Sequence, residues 1–141
     1  FLEYGKRWVG RHPYPYDFFD TIEDVSKQDL SWFWNTWFFE PWPLDQAIGS
    51  VRKNGSTVDI TIQDRGLAPM PVDLAVTRAD GHVDRIRVPV SVWLEGARTD
   101  VVHVARTPEV VRVEIDPDGL YPDIDRANQL WVTTRDMRAH D

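Results

Sequence analysis

The side chains from which chemistry could be built are four histidines, 23 carboxylates and no cysteine. His12, His82, His103 and His140 are far apart in the chain and fit neither HExxH nor a close pair, so they supply no zinc ligand set. His103 alternates with Val102 and Val104, which turns it outward on a strand. Carboxylates concentrate in "DPDGLYPDID", and oxygen-rich loops of this kind can hold calcium. Asp116, Asp118, Asp123 and Asp125 are the candidate ligands if they meet in an irregular loop. The EF-hand register fails, because counting from Asp116 puts Leu120 at the fifth position and Tyr121 where glycine is required. The simpler reading is a turn, Asp116-Pro117-Asp118-Gly119, after the last strand. No G-x-S-x-G elbow, phosphate-binding loop or dinucleotide fingerprint is present. Glu95 and Glu114 lie near strand ends, but spacing alone does not make them a glycosidase pair. The residues provide no catalytic constellation and no cofactor site.

The remaining concentration is aromatic. "DLSWFWNTWFFEPW", Asp29 to Trp42, holds four tryptophans and three phenylalanines. Leu30, Phe33, Trp34, Trp37 and Phe38 follow helical spacing, and Trp32 and Phe39 fall outside that stripe. A stripe at this spacing is core more often than a sugar-stacking platform. Interfacial membrane helices set basic residues opposite their aromatics, and this stretch has no Lys or Arg. The reading is a helix wedged between two bodies, with Phe18, Phe19, Ile22, Leu30, Phe33, Trp34, Trp37 and Phe38 as inter-domain packing residues.

These residues need elements to place them. Phe1, Tyr4 and Trp8 are at helical spacing, and the chain opens without an initiator methionine, which reads as a piece of a longer protein. "HPYPYDFF" leads into a helix with Asp17 as N-cap and Asp20 in its first turn. Phe18, Phe19, Ile22 and Val25 form its apolar face, and Ser26-Lys27-Gln28 breaks the pattern. Asp29 caps the next helix, which Pro41 and Pro43 end.

From Asp45 the period changes to two. Asn54-Gly55 signals a hairpin, and Val58, Ile60 and Ile62 alternate with polar residues. Val72, Leu74 and Val76 alternate before an Asp80-Gly81 turn. Val83, Ile86 and Val88 return with an irregularity between them. "SVWLEG", "DVVHVA" and "EVVRVEI" complete about seven strands, with no helix in this half. The fold expectation is α+β: two or three helices over 1–44, an antiparallel Ig-like β-sandwich over 45–134, and a polar tail at 135–141.

Composition bounds the partners. Net charge −7 gives no basic nucleic-acid footprint. No apolar run reaches the roughly 20 residues of a membrane span. Lack of cysteine leaves the redox compartment open.

The first 48 residues resemble a known family. Trp8, His12, Pro13, Pro15, Asp17, Phe18 and Phe19 match a W-x-x-x-H/R-P-x-P-x-D-F-F pattern. "IEDVSKQDL" and the aromatic run from Trp32 to Phe38 follow it. This looks like the end of the catalytic region of gluzincin zinc aminopeptidases, the aminopeptidase N and leukotriene A hydrolase clan. "IDPDGLYPDIDRANQLW" is similar to the segment that closes the β-domain of bacterial members. Lys27 stands where a glycine is common in the family. HExxH with its downstream glutamate, and the GxMEN motif, do not occur in these residues. The resemblance therefore implies a non-catalytic C-terminal piece of a zinc metallopeptidase that acts on peptides. It carries no cofactor itself, and zinc is expected in the parent chain. The resemblance leans towards a periplasmic or secreted setting. The implied partner is the upstream catalytic region, with self-association through the helical segment as a consequence. The alternative reading is a carbohydrate- or protein-binding β-sandwich module.

Overall fold

The computed structural model describes residues 1–133, so His140 and the polar tail expected at 135–141 lie outside the described residues. The chain forms two compact units, Phe1–Pro41 and a second that begins at Trp42.

The first unit is helical: α1 (Leu2–Trp8), α2 (Pro15–Ser26) and α3 (Ser31–Trp34). α3 runs on as a π-helical segment, Asn35–Phe39. α2 starts two residues before the expected cap. Pro15 occupies its first turn, where a missing N–H costs nothing. Asp17 instead reaches back, its Oδ2 accepting from the Tyr14 backbone N–H at 2.7 Å. The α2 helix ends on Lys27 in the left-handed region, φ 57°, with the Lys27 N–H donating to the Glu23 carbonyl at 2.8 Å. α3 is capped by Leu30 rather than Asp29. The Asp29 carboxylate still accepts from the Ser31 N–H at 3.0 Å and the Ser31 hydroxyl at 2.6 Å.

The second unit is a two-sheet sandwich. One sheet has strand order β1-β2-β5, from Gln46–Asn54, Thr57–Asp64 and Thr99–Ala105. The other has order β4-β3-β6-β7, from Val83–Val88, Val72–Arg78, Val110–Ile115 and Leu130–Val132. Every ladder is antiparallel, and the strand order is immunoglobulin-like. The β1–β2 turn centres on Gly55-Ser56, one residue later than the Asn-Gly signal, with Gly55 at φ +56°. Val58, Ile60, Ile62, Val72, Leu74 and Val76 all turn inward and form one core with Val88, Val104, Val110, Val113 and Ile115. Burial of each such side chain contributes roughly 1.5–3 kcal/mol, which is what holds the sheets together.

Four expectations for this half are corrected. "SVWLEG" is not a strand; Ser91–Leu94 is a short helix, α4, which crosses from one sheet to the other and buries Trp93 in the core. The seventh strand is Leu130–Val132, so the acidic loop joins β6 to β7 rather than following the last strand. A 3₁₀ turn, Arg126–Gln129, leads into β7, so this half has helical turns after all. β4 pairs with β3 without any irregularity. Val83 faces solvent, and Asp84 takes the inward position beside Ile86 and Val88. Buried Arg78 makes this tolerable: its Nε donates to Asp84 Oδ2 at 2.8 Å. Arg78 Nη1 also donates to the carbonyls of Ala105 and Pro108, linking β3 to the opposite sheet.

Candidate functional site

The aromatic residues of α2 and α3 meet within the helical unit. Phe19 stacks on Trp34 with centroids 4.6 Å apart and meets Phe38 edge-on at 5.0 Å. Phe18 meets Trp34 at 6.0 Å and Tyr4 of α1 at 5.1 Å. Phe33 contacts Trp34 at 5.3 Å and Trp37 at 6.3 Å. Phe19 and Trp34 are buried, and Phe18, Ile22, Leu30, Phe33 and Trp37 are half-buried. Much of the stripe read as inter-domain packing is thus the unit's own small core.

Phe38 departs from its stripe and is exposed, while Thr36 is buried. The cause is the π-helical segment. Its hydrogen bonds reach back five residues, as from the Glu40 N–H to the Asn35 carbonyl at 3.1 Å. The wider turn rotates residues after Trp34 away from a 3.6-residue period. Thr36 meets burial by donating its hydroxyl to the Trp32 carbonyl at 2.8 Å.

Glu23 ties the two helices. Its Oε1 accepts from the Trp34 Nε1–H at 2.9 Å and from the Leu30 backbone N–H at 3.2 Å. Trp8 of α1 donates its Nε1–H to the Thr21 hydroxyl at 3.2 Å. A cleft of about 270 Å³ opens beside the Glu23 clamp, lined by Tyr16, Phe19, Asp20, Glu23, Ser31, Trp34, Asn35 and Phe39. Much of the remaining surface of the unit is apolar: Phe1, Leu2, Val9, Tyr14, Tyr16, Val25, Phe38 and Phe39 are all exposed.

The four carboxylates of the calcium expectation are each engaged by protein donors. The buried Asp116 carboxylate accepts from the backbone of Leu120 (2.8 Å) and Tyr121 (3.0 Å) and from Arg126 (3.0 Å). Asp123 accepts from the backbone of Gln46 at 2.7 Å and Asp125 at 2.9 Å. Asp125 accepts from Ala127 at 3.1 Å and Asn128 at 3.1 Å, and Asp118 pairs with Arg85 at 2.9 Å. Each carboxylate is spent on local protein donors. Among the described residues no three His, Asp or Glu side chains are grouped to hold a metal.

The histidines are scattered. His12 and His82 are exposed, with His82 3.2 Å from Asp84. His103 faces outward on β5, its Nδ1 2.7 Å from Asp59 Oδ1. Glu114 pairs with Arg112 on the sheet surface, and Glu95 is exposed at the end of α4. A hollow of about 350 Å³ on the larger sheet is lined by Asp73, Leu74, Arg85, Ile86, Arg87 and Asp118. Its charges neutralise one another. Arg87 donates to both oxygens of Asp73 at 2.8 and 3.0 Å and to the Tyr121 hydroxyl at 3.0 Å. Trp34 and Trp93 are buried and the other five tryptophans are half-buried.

Sequence reading missed the cleft because its walls, Tyr16 and Phe39, lie outside both apolar stripes. The available signal was the aromatic residue left over after each stripe was assigned.

Comparison with protein-family models, with curated proteins and with solved structures finds no match to this chain. Among the described residues no helix is long and apolar enough to cross a membrane.

Proposed function

We propose that the chain is a non-catalytic packing module, the C-terminal part of a zinc aminopeptidase-like metallopeptidase. The observation that carries it is the exposed apolar surface of the helical unit. Phe1, Leu2 and Val9 on and beside α1 are each more than 80% exposed. Large contiguous apolar surface of this kind marks a surface that meets another protein body. The sequence resemblance of residues 1–48 names that body as a metallopeptidase catalytic region. The residues of this chain do not fit a zinc site: HExxH does not occur, and the described carboxylates and histidines are dispersed. The alternative, a carbohydrate- or protein-binding sandwich module, would have to use the half-buried Trp42 or Trp131, since Trp93 is in the core.

Two measurements test the reading. Sequencing the gene upstream of the Phe1 codon should reveal HExxH followed by a glutamate in the same frame. The chain itself, stripped of metal and dialysed against zinc, should retain no stoichiometric zinc and should not hydrolyse aminoacyl reporter substrates above a protein-free blank. An upstream frame without that motif, or turnover by the chain itself, overturns the proposal.

A further inference from the structure

Asn54-Gly55 is the only Asn-Gly pair in the chain, and the fold leaves it open to a reaction that consumes only water. Asn54 ends β1, and Gly55-Ser56 make the turn into β2. All three residues are exposed. Gly55 has φ +56°, at the position where type II′ hairpin turns require glycine. Its N–H makes no hydrogen bond among the described residues. A Cβ built on Gly55 would meet nothing within 4 Å. The backbone nitrogen that follows the Asn54 side-chain amide is thus unengaged and unshielded, at a loop tip of the kind that opens at low cost.

The other two asparagines lack this combination. Asn35 lies in the π-helical segment and precedes Thr36, whose branched Cβ crowds its own nitrogen. Asn128 is half-buried and precedes Gln129, and its Nδ2 donates to Asp45 at 2.8 Å and to Asp125 at 3.1 Å.

We propose that Asn54 is a self-modification site, converted to aspartate and isoaspartate through a succinimide closed by the Gly55 nitrogen. The Gly55 nitrogen attacks Asn54 Cγ, and the new C–N bond closes a five-membered ring. The Cγ–Nδ2 bond breaks, and ammonia leaves with the proton that the Gly55 nitrogen gives up. Water then adds to one of the two ring carbonyls. Opening at one carbonyl gives aspartate; opening at the other gives isoaspartate, with the main chain running through Cγ. The balance is one amide and one water converted to one carboxylate and one ammonium ion. The inference stands apart from the packing reading, since it requires no catalytic region and no zinc.

The product alters the sheet surface beside it. Asn54 Nδ2 donates to Asp59 Oδ2 at 2.8 Å, and this bond is the largest cause holding Asp59 below the usual carboxylate range. Asp59 Oδ1 in turn lies 2.7 Å from His103 Nδ1 on β5. Conversion removes the donor and sets a second carboxylate next to Asp59, which makes Asp59 harder to ionise. Isoaspartate also adds a methylene to the main chain where Asn54 pairs with Thr57 to close the hairpin.

The test is to age the full chain at mildly alkaline pH, with the blocked peptide acetyl-Lys-Asn-Gly-Ser-amide as a clock. Peptide mapping locates each one-dalton gain, and released ammonia is assayed against it. Asn54 should convert at no less than about a tenth of the peptide's rate, and Asn35 and Asn128 at least about tenfold more slowly than Asn54. Asn54→Gln would have to close a six-membered ring, so residue 54 should stay unconverted over the same time. The position is exposed, so its far-UV circular dichroism should match wild type. Carboxyl-carbon NMR should show Asp59 titrating at higher pH both in the aged chain and in Asn54→Asp. Three results overturn the proposal: unchanged Asn54 once the peptide is fully converted, conversion of Asn35 or Asn128 as fast as Asn54, or the same Asp59 titration before and after ageing.

Discussion

Asp64 shows how a single residue sets a pH dependence. It ends β2 with its carboxylate buried, and Oδ2 accepts from Arg98 at 2.9 Å while Oδ1 has no partner. Burial pushes the carboxyl up to about 6. Arg98 opposes the shift, and the nearby Asp45 carboxylate adds to it. The folded chain therefore prefers neutral Asp64 more than the unfolded chain does. That contribution is complete below the unfolded value near 3.8 and is lost as pH rises through about 6. Wild type should lose about 1–3 kcal/mol relative to Asp64→Asn between pH 4 and pH 8. Urea unfolding of both proteins across that range checks it, and parallel pH profiles would show that Arg98 keeps the carboxylate ionised. Lys27 illustrates a cost of the same scale. A residue with a Cβ in the left-handed region is disfavoured by roughly 1–2 kcal/mol, so glycine would be the unstrained residue at this position. The left-handed turn was not legible locally, because Ser26-Lys27-Gln28 has no glycine of its own to signal it.

Among the elements, α3 and its π-helical extension separate two tryptophans that sequence spacing makes equivalent. Trp34 is buried, stacks on Phe19, meets Phe18, Phe33 and Phe38, and donates to Glu23. Trp37 is half-buried, has one tilted ring contact, and leaves its buried Nε1–H without a partner. Trp34→Ala should cost the helical unit about 3–5 kcal/mol, the range for a truncated core aromatic. Trp37→Ala should cost clearly less. Thermal melts followed at 222 nm decide this, and equal losses would contradict the division of roles. The alternation of β2 and β3 was legible, because period two over six residues has no helical equivalent. α4 was not, since "SVWLEG" has β-forming residues and is too short for a 3.6-residue period to show. Its one local signal was Gly96, which follows the helix at φ +94° as a stop residue. β7 is only three residues long and offers no alternation to read. Asp84 was hidden for another reason: its partner Arg78 is six residues away across the β3–β4 hairpin, and the pairing can be read only once the turn and register are placed.

At the scale of the whole molecule, the two units manage their surfaces differently. The sandwich turns its alternating strands so that Asp59, Thr61, Arg85 and Arg112 face outward over a closed apolar core. The helical unit is too short to do the same. Its stripes close around Phe19 and Trp34, but Phe1, Leu2 and Val9 remain in water beside the shallow hollow they line with Gly5 and Lys6. Burial in a second copy would remove that surface from solvent, and a twofold contact lets one patch meet itself. The isolated chain should therefore dimerise through the helical unit at about 100 µM, a concentration that populates micromolar complexes. Leu2→Lys with Val9→Lys should make it monomeric. Both side chains are more than 80% exposed, so neither substitution disturbs the fold. Sedimentation velocity of the two proteins is the deciding measurement. A monomeric wild type would mean that this surface is tolerated in water, and the packing role would then have to rest on the sequence resemblance alone.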